Sequence, residues 1–148
     1  IIEAKKDEVL AVLKNVPAYP QWIEDVNYSE TVVSSGDSLS FYYQMDLPWP
    51  VKDRDMALDM KIERLDNEIT VRLSSHADLV PVNDDYIRMV QVEGEWIITK
   101  INDKFCQVQH RFIADPEGSL PAWVVNLFIV DGPYKSMKNL REFVKSRK

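Results

Sequence analysis

The last third of the chain constrains the fold most. Residues 115–148 read D-P-E-G-S-L-P-A-W-V-V-N-L-F-I-V-D-G-P-Y-K-S-M-K-N-L-R-E-F-V-K-S-R-K. Asp115 to Gly118 make a turn, Ser119 is placed to cap a helix, and Pro121 suits the first turn, where its missing N–H costs nothing. From Leu120 to Val130 nearly every residue is apolar. Beyond it the apolar positions thin to Tyr134, Met137, Leu140 and Val144, one stripe at helical spacing. This predicts a helix of roughly 28 residues, about 42 Å long at about 1.5 Å per residue. Gly132-Pro133 should kink or break it, because Pro133 cannot donate to the carbonyl of Ile129. The first half is too apolar to face water, and too short and interrupted to span a bilayer. The rest of the chain must cover it.

What precedes it supplies a sheet. Ile1 to Ala4 reads as the tail of a strand whose start is missing. Lys5 to Val16 is an amphipathic helix with Val9, Leu10, Val12, Leu13 and Val16 on one face, stopped by Pro17. Pro20 opens a second short helix carrying Trp22 and Ile23, where Tyr19 and Trp22 are read as packing residues. The period then changes to two. Strands are expected at Tyr28–Val33, Leu39–Leu47, Met56–Ile62, Ile69–Leu73, Tyr86–Val92, Trp96–Ile101 and Phe105–Ala114. Turns fall at Ser34–Asp37, Asp66-Asn67, Gly94 and Asn102-Asp103, with a longer loop from His76 to Asp85. Antiparallel neighbours joined by short turns form a curved sheet with one dry face. A single long helix gripped by such a sheet commonly leaves a cavity beneath it. At 148 residues the chain is most simply one domain, 1–148.

Composition excludes several function classes. Net charge is −6, and residues 135–148 carry a net of +5, which leaves −11 for the body. An acidic body argues against general nucleic-acid binding, and the basic tail reads as a solvated helix face. Cys106 is the one cysteine, so no disulfide framework exists. His76 and His110 with a lone Cys give no metal-ligand spacing. No cofactor is expected. No nucleophile–base pair or carboxylate pair is recognisable, so no catalytic residue is assigned.

Four stretches carry a resemblance. Leu47-Pro48-Trp49-Pro50-Val51-Lys52-Asp53-Arg54-Asp55 is similar to the P-W-P-V-x-x-R-D signature of START lipid-transfer domains. The segments Asp7 to Ile23, Gly94 to Ile98 (G-E-W-I-I) and Asp115 to Asn126 resemble the same family, in the right order across nearly the whole chain. The resemblance implies an α+β helix-grip fold of the SRPBCC (Bet v 1-like) superfamily. In that fold a curved antiparallel sheet wraps a long C-terminal helix, with two short helices near the N-terminus. It also implies a tunnel for one lipid or other hydrophobic molecule. Family ligands include sterols, phospholipids, ceramides and isoprenoids, and most members are carriers, transfer proteins or sensors. An aromatase/cyclase-like enzyme of the same superfamily is the alternative, and a filled-core interaction domain is a third. The expected partner is a hydrophobic small molecule or lipid, with transient membrane contact, no nucleic acid, a monomeric state and a cytoplasmic location.

The residues give the site in outline. A cavity for an apolar ligand needs apolar walls and one or two orienting polar groups. Tyr43, Met45, Met56 and Leu58 are candidate walls, as are Phe41, Met60, Val71 and Leu73. The methionines suit a pliable pocket. Trp123, Val124, Leu127 and Phe128 are candidates for the helical lid. His110 is the best polar candidate, since neutral imidazole both donates and accepts. Arg88 is a second, because it lies among apolar strand residues. Pro48 and Pro50 mark a bend, and adjacent Arg54 and Asp55 point to opposite faces, where they are read as structural ion pairs fixing that bend. The candidate gates are the helix at Gly132-Pro133 and the loop from His76 to Asp85.

Overall fold

The computed structural model describes all residues, 1–148. Helix α1 spans Lys6–Lys14 and buries Val9, Leu10, Val12 and Leu13. The Glu8 carboxylate accepts from the Lys5 N–H at 2.6 Å, closing its first turn. Pro17 cannot continue α1, and a 3-10 turn, Val16–Gln21, follows. It ends before Trp22, so the second helix starts earlier than Pro20 suggests and does not carry Trp22 or Ile23.

Seven strands then form one sheet: β1 (Val26–Ser35), β2 (Ser38–Met45), β3 (Arg54–Arg64), β4 (Glu68–Ser75), β5 (Ile87–Arg88), β6 (Val92–Lys100) and β7 (Cys106–Ala114). Neighbours run in the order β1-β2-β3-β4-β6-β7, all antiparallel. Strand β5 stands off this path and pairs in parallel with β3. The strand expected over Tyr86–Val92 is thus two residues long, and Val92 begins the next strand. Gly94 is not a turn; it sits inside β6, opposite Phe112 and Leu73. A Cβ there would lie 3.2 Å from Leu73 Cδ1 and 3.3 Å from Phe112 Cδ2, so the missing side chain leaves room for both neighbours.

The inner face of the sheet carries Leu39, Phe41, Tyr43, Met56, Leu58, Met60, Ile69, Val71, Trp96 and Ile98, all buried. Alternation puts the polar partners of these residues outside, as period two requires. Burial of each large apolar side chain is worth about 1.5–3 kcal/mol, and one cluster joins this face to α1, Leu140 and Val144.

The C-terminal helix runs without a break as α2 (Ala122–Asn126), a π turn (Leu127–Asp131) and α3 (Gly132–Ser146). Pro121, not Ser119, occupies the cap. Gly132-Pro133 does not break the helix. The turn widens instead, and the Gly132 N–H reaches the carbonyl of Leu127. A Cβ on Gly132 would lie 2.7 Å from that oxygen, so only glycine allows this approach. No helix is long and apolar enough to cross a membrane.

Candidate functional site

One apolar cavity lies between the sheet and the C-terminal helix. Its volume is about 90 Å³. Strands β2 and β3 supply Phe41, Tyr43, Met45, Met56 and Leu58; β4, β6 and β7 supply Leu73, Trp96, His110 and Phe112. Helix α1 and the segment after it add Leu13, Tyr19, Trp22 and Ile23. The lid is Leu127, Phe128, Gly132, Pro133 and Ser136. Glu24, Asp25 and Leu47 complete the rim.

The helix is fastened to that rim. The Glu24 backbone N–H donates to Ser136 Oγ at 3.0 Å, and Lys135 Nζ lies 3.7 Å from the Glu24 carboxylate. At the helix entrance Arg54 Nε donates to the Pro116 carbonyl at 2.7 Å and Nη2 to that of Glu117 at 2.8 Å. Arg54 also donates to Lys52. It therefore ties the loop before the helix to β3 through carbonyls, not through the ion pair expected of it.

The walls are rich in aromatic rings. Phe41 and Tyr43 lie parallel at 6.0 Å, and Tyr19 meets both edge-on. Trp96 and His110 stack face to face, centroids 3.7 Å apart and planes 8° apart. Burial drives the His110 pKa down to about 4, so the ring is neutral at physiological pH. Burial also raises the Tyr43 hydroxyl far above its ordinary value. Burial is the sole cause of both shifts. Tyr19 donates to the Leu13 carbonyl at 2.6 Å and is thereby satisfied, whereas the buried Trp22 Nε1 has no partner.

Of the residues singled out in the sequence, Tyr43, Met45, Met56, Leu58, His110, Leu127 and Phe128 face this cavity. Trp123, Val124 and Arg88 do not. Trp123 is half-exposed on the outside of α2, and Val124 is buried away from the cavity. Met60 and Val71 are solid core.

Arg88 lies on the opposite face of the sheet. Its Nε and Nη2 hold the two carboxylate oxygens of Asp55 at 2.8 and 3.1 Å, and both side chains are buried. The rest of the guanidinium donates to the carbonyls of Ala77, Val80 and Pro81, and Tyr42 donates to Asp55 at 2.7 Å. The ion pair expected of Asp55 is thus present. The same bonds hold the 76–85 loop against the outer face. No residue of that loop lines the cavity, so it is not a gate to it.

Reading from the sequence missed Leu13, Ile23, Glu24, Asp25, Trp96 and Phe112, and left Tyr19 and Trp22 as packing residues. Phe112 was within reach, because it shares a strand face with His110. The rim acids carry no such signal. No three His, Cys, Asp or Glu side chains come together to hold a metal ion.

A START domain model matches residues 1–148. The chain belongs to the START domain family. An uncharacterized protein of Pseudomonas aeruginosa is 26% identical over 147 residues, which are 99% of this chain and 73% of that protein. The solved STAR-related lipid transfer protein of Xanthomonas axonopodis superposes with a TM-score of 0.87 at 29% identity, covering 97% of this chain and 81% of that one. The Zhui aromatase/cyclase of Streptomyces sp. R1128 superposes with a TM-score of 0.70 at 13% identity, covering 99% and 90%. That likeness shows the fold alone. A START fold points to binding of a lipid or other hydrophobic ligand.

Proposed function

We propose that this START domain binds one hydrophobic small molecule or lipid between sheet and C-terminal helix, as a carrier, transfer protein or sensor. The observation that carries this is the cavity: 15 of its 21 lining residues are hydrophobic, and it opens at a rim beside a helix held by few polar contacts. Moving apolar surface from water into such a site is worth about 25 cal/mol per Å². Tyr43, Met45, Met56, Leu58, His110, Leu127 and Phe128 are the proposed contact residues. The helix at Gly132-Pro133 is the proposed gate. Trp123, Ile129, Val130 and Tyr134 are exposed on that helix, which suits brief contact with a lipid surface during exchange by a cytoplasmic monomer. Native mass spectrometry of the purified protein, followed by lipid extraction, tests the reading. A stoichiometric hydrophobic adduct is expected. A protein that carries none and takes up none of an added lipid panel contradicts it.

The aromatase/cyclase reading draws on His110 and Tyr43 within the cavity. A general base works best with a pKa near the operating pH. A histidine held near 4 with no carboxylate beside it is poorly matched to that role. His110→Phe separates the two: an enzyme loses turnover, and a carrier changes only in affinity.

A further inference from the structure

Trp22 is a core residue with one hydrogen bond unmade. It is 2% exposed and lines the cavity between the sheet and the C-terminal helix. Its backbone N–H donates to the Tyr19 carbonyl at 3.1 Å, so the main chain there is satisfied. The ring nitrogen is not. Nε1 is buried, and no oxygen or nitrogen of the protein accepts its proton. Buried polar groups are nearly always paired, and an unpaired one is more destabilising than a typical made bond is stabilising. In the same wall the Tyr19 hydroxyl shows the ordinary outcome, donating to the Leu13 carbonyl at 2.6 Å.

The ring is held where it is. Tyr19 meets it edge-on at 5.5 Å and 79°, and Trp96 at 6.1 Å and 69°. Both neighbours offer Nε1 a π face, a far weaker acceptor than a lone pair. The acids that follow Trp22 in the chain, Glu24 and Asp25, reach the rim of the cavity but do not accept from Nε1. Glu24 is turned toward Lys135, 3.7 Å away. A phenylalanine would supply an apolar wall without the unpaired donor. What the indole adds is a single N–H, which donates and cannot accept.

Resting on the proposed function, we infer that Trp22 orients the bound molecule: its Nε1–H donates to a lone pair on an oxygen or nitrogen that the guest carries. The pairing is one-way, so a guest group that only donates gains nothing from it. Whatever the guest's skeleton, its acceptor atom lies against the end of the Val16–Gln21 turn, where Trp22 follows. Trp22 is thus a specificity-determining residue of the site and not packing alone.

Two probes of nearly one shape test this on the whole chain: cyclopentyl methyl ether, which carries an acceptor, and ethylcyclopentane, in which a methylene replaces the oxygen. Neither has an aromatic ring to disturb the indole resonances. In two-dimensional NMR of the nitrogen-15-labelled wild type, the ether should move the Trp22 Nε1–H resonance downfield and saturably, and the hydrocarbon should not. Dissociation constants from the same titrations, repeated on Trp22→Phe, complete a cycle. The variant should weaken the ether about tenfold relative to the hydrocarbon, the size of effect one hydrogen bond in a dry site produces. The wild-type arm stands even where the variant does not fold. An ether that shifts Trp96 but gives no downfield shift at Trp22, or a variant that weakens both probes equally, overturns the inference while leaving a hydrophobic site intact. Failure of both probes to bind overturns the inference and the proposed function together.

Discussion

The two histidines titrate in opposite directions. Burial lowers the His110 pKa to about 4, below the ordinary value near 6.5, so the folded state resists the proton that the unfolded chain accepts. Its neutral form supports folding fully above about pH 6.5, and that support is lost as pH falls from there toward 4. His76 is the reverse case. Its Nδ1 lies 2.8 Å from the Asp59 carboxylate, and that hydrogen bond holds its pKa above the ordinary value. It stabilises below about pH 6.5, and the contribution disappears as pH rises through the raised value. Thermal melts of His110→Phe and His76→Ala against pH should therefore diverge from the wild type in opposite ways. The first should gain relative stability as pH falls from 6.5 to 4, and the second should show its full deficit below about pH 6.5 and converge with the wild type as pH rises through the raised His76 value. Parallel curves would contradict both assignments. A third residue-scale expectation concerns the buried pair on the outer face. Asp55→Ala strands the Arg88 guanidinium and should cost about 3–5 kcal/mol in urea unfolding. A cost below about 1 kcal/mol would mean that water reaches Arg88.

Among the elements, the C-terminal helix and most of the strands were legible in the sequence because their periods are long and clean. Leu39, Phe41, Tyr43 and Met45 take alternate positions along β2, and Tyr134, Met137, Leu140 and Val144 hold one helical stripe. Arg88 was misplaced for a physical reason. Parity along Tyr86 to Val92 assumes one continuous strand, yet only Ile87 and Arg88 pair, and they pair in parallel with β3. Nothing in seven residues marks that change of partner. Gly94 misled in the other direction: glycine within a strand reads as a turn, whereas here it makes space for Leu73 and Phe112. The Gly-Pro pair signalled an irregularity correctly, but not that a widened turn would absorb it. Gly132→Ala should cost about 1–3 kcal/mol of thermal stability, because its Cβ meets the Leu127 oxygen. The fastening at Ser136 and Lys135 makes a separate prediction. Ser136→Ala with Lys135→Ala should speed ligand exchange severalfold in stopped-flow measurements, and an unchanged rate would place the gate elsewhere.

At the scale of the molecule, the sequence could indicate that a sheet and a long helix enclose something, but not how much space they leave. Met60 and Val71 obey the same alternation as Met56 and Leu73; the first two are filled core and the second two line the cavity. The difference lies in side-chain packing across elements far apart in sequence, above all in Leu13, Tyr19 and Trp22 meeting the sheet from the N-terminal side. The rim likewise joins residues 24 and 25 to 135 and 136, a proximity with no local signature.

The four tryptophans divide the molecule for one direct measurement. Trp22 and Trp96 line the cavity, whereas Trp49 and Trp123 are exposed at 90% and 53%. Their indole N–H resonances, followed by two-dimensional NMR during titration with 2-methylnaphthalene, report where an apolar molecule goes. Saturable shifts at Trp22 and Trp96, with Trp49 and Trp123 unmoved, are the predicted result. Shifts confined to Trp49 and Trp123, or none at all, would contradict a ligand seated beneath the C-terminal helix.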